Sequence, residues 1–325
     1  MRRVLGLVLT GLGAFFLALA LLMRFYLPGQ VIKFPLNEYL VIAVSGHDLS
    51  YFSAKELKVV TGVNAKATTT VEGDVAAGSS STAVWNSFTA VEDLTNSQPI
   101  EYVNQRSAFD RRTGEIVDCC GSFVAISNQP TVKGHQSGLA YAWPFNSQKQ
   151  TYQVFDTTLA KPEPFRYAGT ATIDGLSTYK YVEHIVNRQF GTETLPGQLA
   201  GYPSLPEVTL PEYVTETNTF WIDPVTGQPV NVVENRTLAL ENISGQTKLI
   251  LYKGLLSGTP QNVKTNVGIA NSAHFKIGLV DLIGPLVGLI LGVVLLVVGI
   301  ALILSKRDTE EFAYESDEPV GSSTT

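Results

Sequence analysis

Thr219–Val230, TFWIDPVTGQPV, reads as a strand, a tight turn and a returning strand. Asp223 suits the first turn position, where its carboxylate can accept backbone N–H groups. Pro224 fixes the next φ, and Gly227 can take the positive φ of a hairpin bulge. The same grammar recurs upstream. Phe109-Asp110-Arg111-Arg112-Thr113-Gly114-Glu115-Ile116-Val117 matches Ile222–Val230 at Asp, Thr, Gly and Val, at a constant offset of 113 residues. Two readings stay open: a duplication giving two similar β halves, or one common hairpin used twice.

Further out, Thr68–Val71, Ala83–Val91, Thr151–Phe155, Thr178–Val182, Val214–Ile222, Val230–Val233 and Lys248–Tyr252 alternate in the β manner. They are rich in Thr, Val and aromatics, residues that fit a pleated, half-buried surface. One short helix is expected over Ser53–Val60, with Ser53 as N-cap and Glu56 completing a capping box. Residues 28–276 are therefore expected to form a mainly β, antiparallel domain, either whole or as two half-barrel sheets.

Two apolar blocks flank this domain. Val4–Leu22 carries no charge over nineteen residues, which at helical rise covers roughly 28 Å, about one bilayer core. No small-x-small cleavage site follows it, so an uncleaved anchor over residues 4–27 is expected rather than a signal peptide. The second span is expected over residues 277–304, uncharged from Leu282 onward. Arg2 and Arg3 precede the first span, and Lys306 and Arg307 follow the second. The excess of basic residues on the cytoplasmic side then places both termini inside and residues 28–276 outside a plasma membrane. Arg24 is on the opposite side and is expected to snorkel to headgroups, while Asp281 is expected to reach interfacial water. Gly284, Gly288 and Gly292 form a small-xxx-small face that lets another helix approach, with Thr10, Ala14 and Ala18 at the same spacing on the first span. The partner is either the other span, a transporter or a second copy. Residues 305–325 are acidic, then Ser/Thr-rich, and are expected to be a disordered cytoplasmic tail behind the three-residue N-terminus and the two spans.

Two resemblances add to this reading. The hairpin Trp221-Ile222-Asp223-Pro224-Val225-Thr226-Gly227-Gln228-Pro229 resembles one in periplasmic lipoprotein carriers and their mycobacterial relatives, which implies a curved sheet around a greasy cavity. Over most of the chain, Asp110–Gly114 leading into Asp118-Cys119-Cys120-Gly121, Trp143-Pro144-Phe145-Asn146 through Phe155–Thr158, and Gly169 through Asp174-Gly175-Leu176 to Tyr179 resemble an actinobacterial, porin PorA-like family of unknown function. That resemblance implies a two-span cell-envelope protein, with some relatives linked to envelope lipid transport. A porin proper needs strands that span a membrane with a lipid-facing band, and the polar strands here carry none.

The chain has 23 Lys and Arg against 29 Asp and Glu, a net charge of −6. No basic run exceeds two residues, which argues against nucleic acid as a partner. No Walker loop, G-x-S-x-G elbow or G-x-G-x-x-G is present, and the four histidines show no ligand spacing, so no enzyme, metal or cofactor is expected. Adjacent Cys119 and Cys120 can form a vicinal disulfide; the alternatives are a structural kink after the hairpin, or two free thiols. Tyr141, Trp143, Phe145, Tyr152 and Phe155 are the candidate ligand contacts, since aromatics line apolar pockets well. The alternative is that they are ordinary core. The function expected is binding or transport of an envelope lipid or glycolipid. A scaffold for proteins or wall polymer is the second reading, and an envelope hydrolase the third.

Overall fold

In the computed structural model, residues 2–127 and 129–305 are described, and the chain divides into a helical unit and a β unit. The tail expected over residues 305–325 lies outside the described residues beyond Ser305.

The helical unit runs to Pro28 and resumes at Leu279. It contains α1 (Arg2–Phe25), a π-type turn (Leu279–Ile283) and a helix over Gly284–Leu304, while a short helix over Leu27–Val31 follows α1. The two long helices pack antiparallel through small residues. Gly6 lies against Gly299 and Ile303, Gly13 against Gly292 and Leu296, and Ala20 against Gly288. The face on α1 is thus Gly6, Gly13 and Ala20, one residue every seven, with Thr10 beside Gly299. Ala14 and Ala18 are exposed, which corrects the four-residue spacing expected for this face. A seven-residue repeat keeps one stripe facing a long antiparallel neighbour, whereas steps of four drift around the helix. Arg24 and Asp281 form an ion pair with each other, where separate outlets to headgroups and water were expected. The outward residues Leu5, Leu7, Leu12, Phe15 and Leu21 are large, apolar and exposed. Both helices are long and apolar enough to cross a bilayer, which supports membrane association.

The β unit spans Gly29–Gly278. Its strands are β1 (Tyr39–Ser53), β2 (Lys58–Gly73), β3 (Thr82–Asp93), β4 (Gln98–Asp110), β5 (Phe123–Ile126), β6 (Val132–Lys133), β7 (Tyr152–Asp156), β8 (Lys161–Ile173), β9 (Leu176–Pro196), β10 (Glu207–Ile222), β11 (Pro229–Glu241) and β12 (Thr247–Gly258). All belong to one curled antiparallel sheet, in the order β6-β5-β4-β3-β2-β1-β12-β11-β10-β9-β8-β7. The first and last long strands, β1 and β12, pair at its middle. The alternative of two separate half-barrel sheets is therefore replaced by one continuous wall. Ser53–Val60 is no helix. Ser53 Oγ does accept the Glu56 N–H, at 3.2 Å, but the bond closes the β1–β2 turn, because the flanking residues find ladder partners from Ser53–Lys58 outward. The same capping chemistry serves either structure, and strand pairing decides between them.

Two ends of the wall are stitched together by a strap, Gly138–Ser147. Leu139 bridges Glu115 on one side and Val154 of β7 on the other. Its N–H donates to Gln153 O and its carbonyl accepts from Phe155 N. The repeated turns hold this strap. Six places separate β4 from β10 in an antiparallel order, so both strands end at the same rim. Asp110 accepts from the N–H groups of Arg112 and Thr113 and from Thr113 Oγ1; Asp223 accepts from those of Val225 and Thr226 and from Thr226 Oγ1. Gly114 and Gly227 sit at φ +75 and +74. The Gly114 carbonyl accepts the Ala140 N–H and the Gly227 carbonyl accepts the Trp143 N–H. A final helix of this unit, α2 (Pro260–Gly278), starts at Thr259-Pro260, a side-chain cap followed by a preset φ. It packs Val267 and Ala270 onto Leu176 and Val230.

Candidate functional site

The curled sheet encloses a cavity of about 350 Å³. Alternation builds its wall. Leu40, Ile42 and Val44 of β1, Ala67, Thr69 and Val71 of β2, and Val91 of β3 face in, two residues apart along each strand. Val103 of β4, Phe220 of β10, Val232 of β11 and Leu256 of β12 continue the apolar surface. Asn262, Asn266 and Ile269 of α2 and the strap residues Ala140–Trp143 also border it. Asn266 Nδ2 donates to Val230 O and Asn262 Oδ1 accepts from Ala43 N, so the helix is tied to both β11 and β1.

Other inward positions that alternation would make apolar carry charge instead: Glu101, Glu183, Glu216, Glu234 and Arg236, joined by Asp156 at the end of β7. Register explains their meeting. Asn218 is opposite Glu183 on β9 and Glu234 on β11, and Glu216 is opposite Arg236. Asn218 Nδ2 donates to Glu183 Oε2 at 2.7 Å. Arg236 pairs with Glu101 from across the cavity and lies 5.0 Å from the Tyr252 ring centre. Carboxylate oxygens of Asp156, Glu183 and Glu216 lie within 4.8 Å of one another. Burial, then the Asp156 charge, pushes Glu183 up to about 8 and Glu216 up to about 9. Burial raises Asp156 and Glu234 as well. Among the described residues, four buried side-chain atoms lack a hydrogen-bond partner: Trp143 Nε1, Glu183 Oε1, Glu216 Oε1 and Asn218 Oδ1. All four belong to residues that line this cavity.

A family model for porin PorA matches residues 5–301. The chain belongs to the porin PorA family. No curated protein matches this PorA-family chain. Among solved structures it is similar to a β-barrel-like protein of a domain of unknown function from Brucella abortus. The two share 11% identity over 67% of this chain and 96% of that one, with a TM-score of 0.15.

Of the aromatic residues singled out in the sequence, Tyr141, Trp143 and Phe155 line the cavity of the PorA-family domain. Phe145 instead stacks on Phe34, ring centres 4.7 Å apart, and Tyr152 packs on Tyr181 at 5.7 Å. Cys119 and Cys120 are joined as a vicinal disulfide, in the loop between the Asp110 turn and β5. His274 Nε2 lies 2.9 Å from both Asp223 carboxylate oxygens, and His47 and His184 contact Asn64 and Thr217. Sequence reasoning missed the interior acids. Their signal was present as Glu216 and Asn218, polar residues on the same parity as Val214 and Phe220, but an isolated strand does not say which parity faces in.

Proposed function

We propose that the β domain is a carrier or receptor that holds the apolar part of an amphiphile in its interior. The helix pair would anchor it, with both termini in the cytoplasm and the β domain outside. The carrying observation is the cavity of about 350 Å³, at the lower end of ligand-pocket sizes and walled more by aliphatic and aromatic side chains than by polar ones. The polar group at one part of the wall gives such a ligand two kinds of environment, apolar and hydrogen-bonding. Conduction through the strands is not favoured. Lys66 and Glu72 of β2, Glu92 of β3, and Thr215 and Thr217 of β10 take the outward parity, where a membrane barrel presents an apolar band. The small-residue face is occupied within the helix pair, so docking to a transporter would use another face.

The test is lipid mass spectrometry on the full-length protein, purified in detergent from an envelope-lipid-producing host. The expected result is one stoichiometric amphiphile, lost in the cavity-filling variants Val103→Trp and Val232→Trp. Those changes leave the helices alone, so lipid held only around the spans would survive them. No such species, and no uptake of added amphiphiles, would sink the carrier reading. A hydrolase is the second reading, favoured by the convergent carboxyls with raised proton affinity, a pairing that glycoside hydrolysis uses. Turnover of an envelope glycolipid, abolished by Glu216→Gln, would establish it in the carrier's place.

A further inference from the structure

The carboxyl cluster in the wall is neutralised either by protons that its members share or by a cation that displaces them, and the amphiphile reading does not choose between the two. Asp156, Glu183 and Glu216 bring three acids within 4.8 Å. Glu183 and Glu216 are 1% and 5% exposed, so water does little to screen them. Among the described residues, the cation beside them, the largely buried Arg236, is bonded to Glu101. Glu163, a further acid of the neighbourhood, is held by Arg188 at 2.9 Å.

The unpartnered atoms point to what is missing. Glu183 Oε1, Glu216 Oε1 and Asn218 Oδ1 are all oxygens without a donor. The Asn218 amide is oriented by its bond to Glu183 Oε2, which uses one N–H of its NH2 and leaves its Oδ1 as an acceptor. A buried acceptor without a donor is costly, and several sharing one interior are the pattern of a ligand set. All are hard oxygens, two from carboxylates and one from an amide, and Asp156 adds a third carboxylate. Such a set suits calcium and its neighbours rather than zinc or copper, which favour nitrogen and sulfur.

We infer that Asp156, Glu183, Glu216 and Asn218 form a binding site for a hard divalent cation of the calcium class inside the β domain. The ion would join the end of β7 to the middles of β9 and β10, and so fix the polar part of the cavity wall. Calcium fits better than magnesium because it tolerates irregular oxygen geometry and a variable ligand number. The inference does not depend on the amphiphile reading, since it concerns the wall itself.

The test uses the full chain in detergent, stripped with a chelator and titrated with CaCl2, MgCl2 or MnCl2 by calorimetry and by thermal unfolding. One calcium ion per chain is expected, with a rise in Tm. Glu183→Gln with Glu216→Gln, and separately Asp156→Asn, should each weaken that binding at least about tenfold, as loss of metal-site partners commonly does. The Asp156 variant keeps the test open if the double variant does not fold. Absence of one-to-one binding up to about 10 mM, beyond the roughly millimolar range of weak extracellular calcium modules, overturns the site. So does binding that persists unchanged in both variants, which would assign the ion to other acids of the chain. Stabilisation by protons alone, with no cation effect at any pH tested, overturns it too.

Discussion

At the residue scale, the two Asp-x-x-Thr-Gly turns were legible in the sequence, but what they hold was not. Gly114 and Gly227 were chosen for their φ, yet each is also closed in by the strap. A Cβ on Gly114 would lie 2.7 Å from Ala142 O, and one on Gly227 would overlap Trp143 O. Gly245 has the same φ, +74, with nothing within 4 Å. Gly227→Ala should therefore cost about 2–4 kcal/mol, conformational strain plus overlap, and Gly245→Ala only about 1 kcal/mol. Denaturant unfolding of the two variants checks this. Equal losses would mean that the strap yields freely. A second prediction concerns acid. The Arg106 guanidinium, with the Ala77 N–H, holds the Asp74 carboxyl below its usual range. A carboxyl lowered by folding adds stability above its unfolded value of about 3.9, and that stability is lost as pH falls through the folded value. Arg106→Gln should thus be less stable than the parent at pH 7, with the gap narrowing below about pH 4. Some gap should remain, because Arg106 also donates to Asn86 and Cys120 O.

At the scale of elements, the sequence located most long strands but recovered only fragments of them. Thr178–Val182 is near the start of a 21-residue strand, β9, whose later part carries Asn, Arg, Gln and Thr on exposed positions. Polar residues of that kind hide a strand from any reading based on alternation. β1 was missed because Gly46-His47-Asp48 breaks its pattern. The ladder to β2 shifts register there and Asp48 takes φ +58, so the chain bulges and continues. The two apolar blocks are helices, but the contact face on α1 steps by seven residues where steps of four were expected. This gives a prediction for the pair. Gly292→Ile should cost about 1–3 kcal/mol, since a Cβ there already meets Leu17 at 2.8 Å. Gly11→Ile, with nothing within 4 Å, should cost under about 0.5 kcal/mol. Unfolding in mixed detergent micelles measures both. A matching loss at Gly11 would mean that α1 presents a different stripe.

At the scale of the β unit, the closure depends on few bonds, and this part was illegible in the sequence because it rests on a strap without regular structure. The wall is held by long ladders, whereas Leu139 carries the bridge between Glu115 and Val154. Leu139→Pro removes the N–H that reaches Gln153 O. Amide exchange should accelerate at Phe155 and Ile116, while the β10–β11 amides keep their protection. Uniform acceleration across the sheet would instead show that seam and wall open as one unit.

The pairing of β1 with β12 bears on how the protein is made. The strand that emerges first has its lasting partner only after almost the whole domain has been synthesised. Until then β1 can pair on one side alone, with β2, and its other edge is open to misassociation. β12 is followed at once by α2 and then by the second apolar helix. Completion of the sheet and synthesis of that helix therefore fall in the same short interval of biogenesis. A chain truncated just before β12 would lose both the middle of its wall and its second apolar helix.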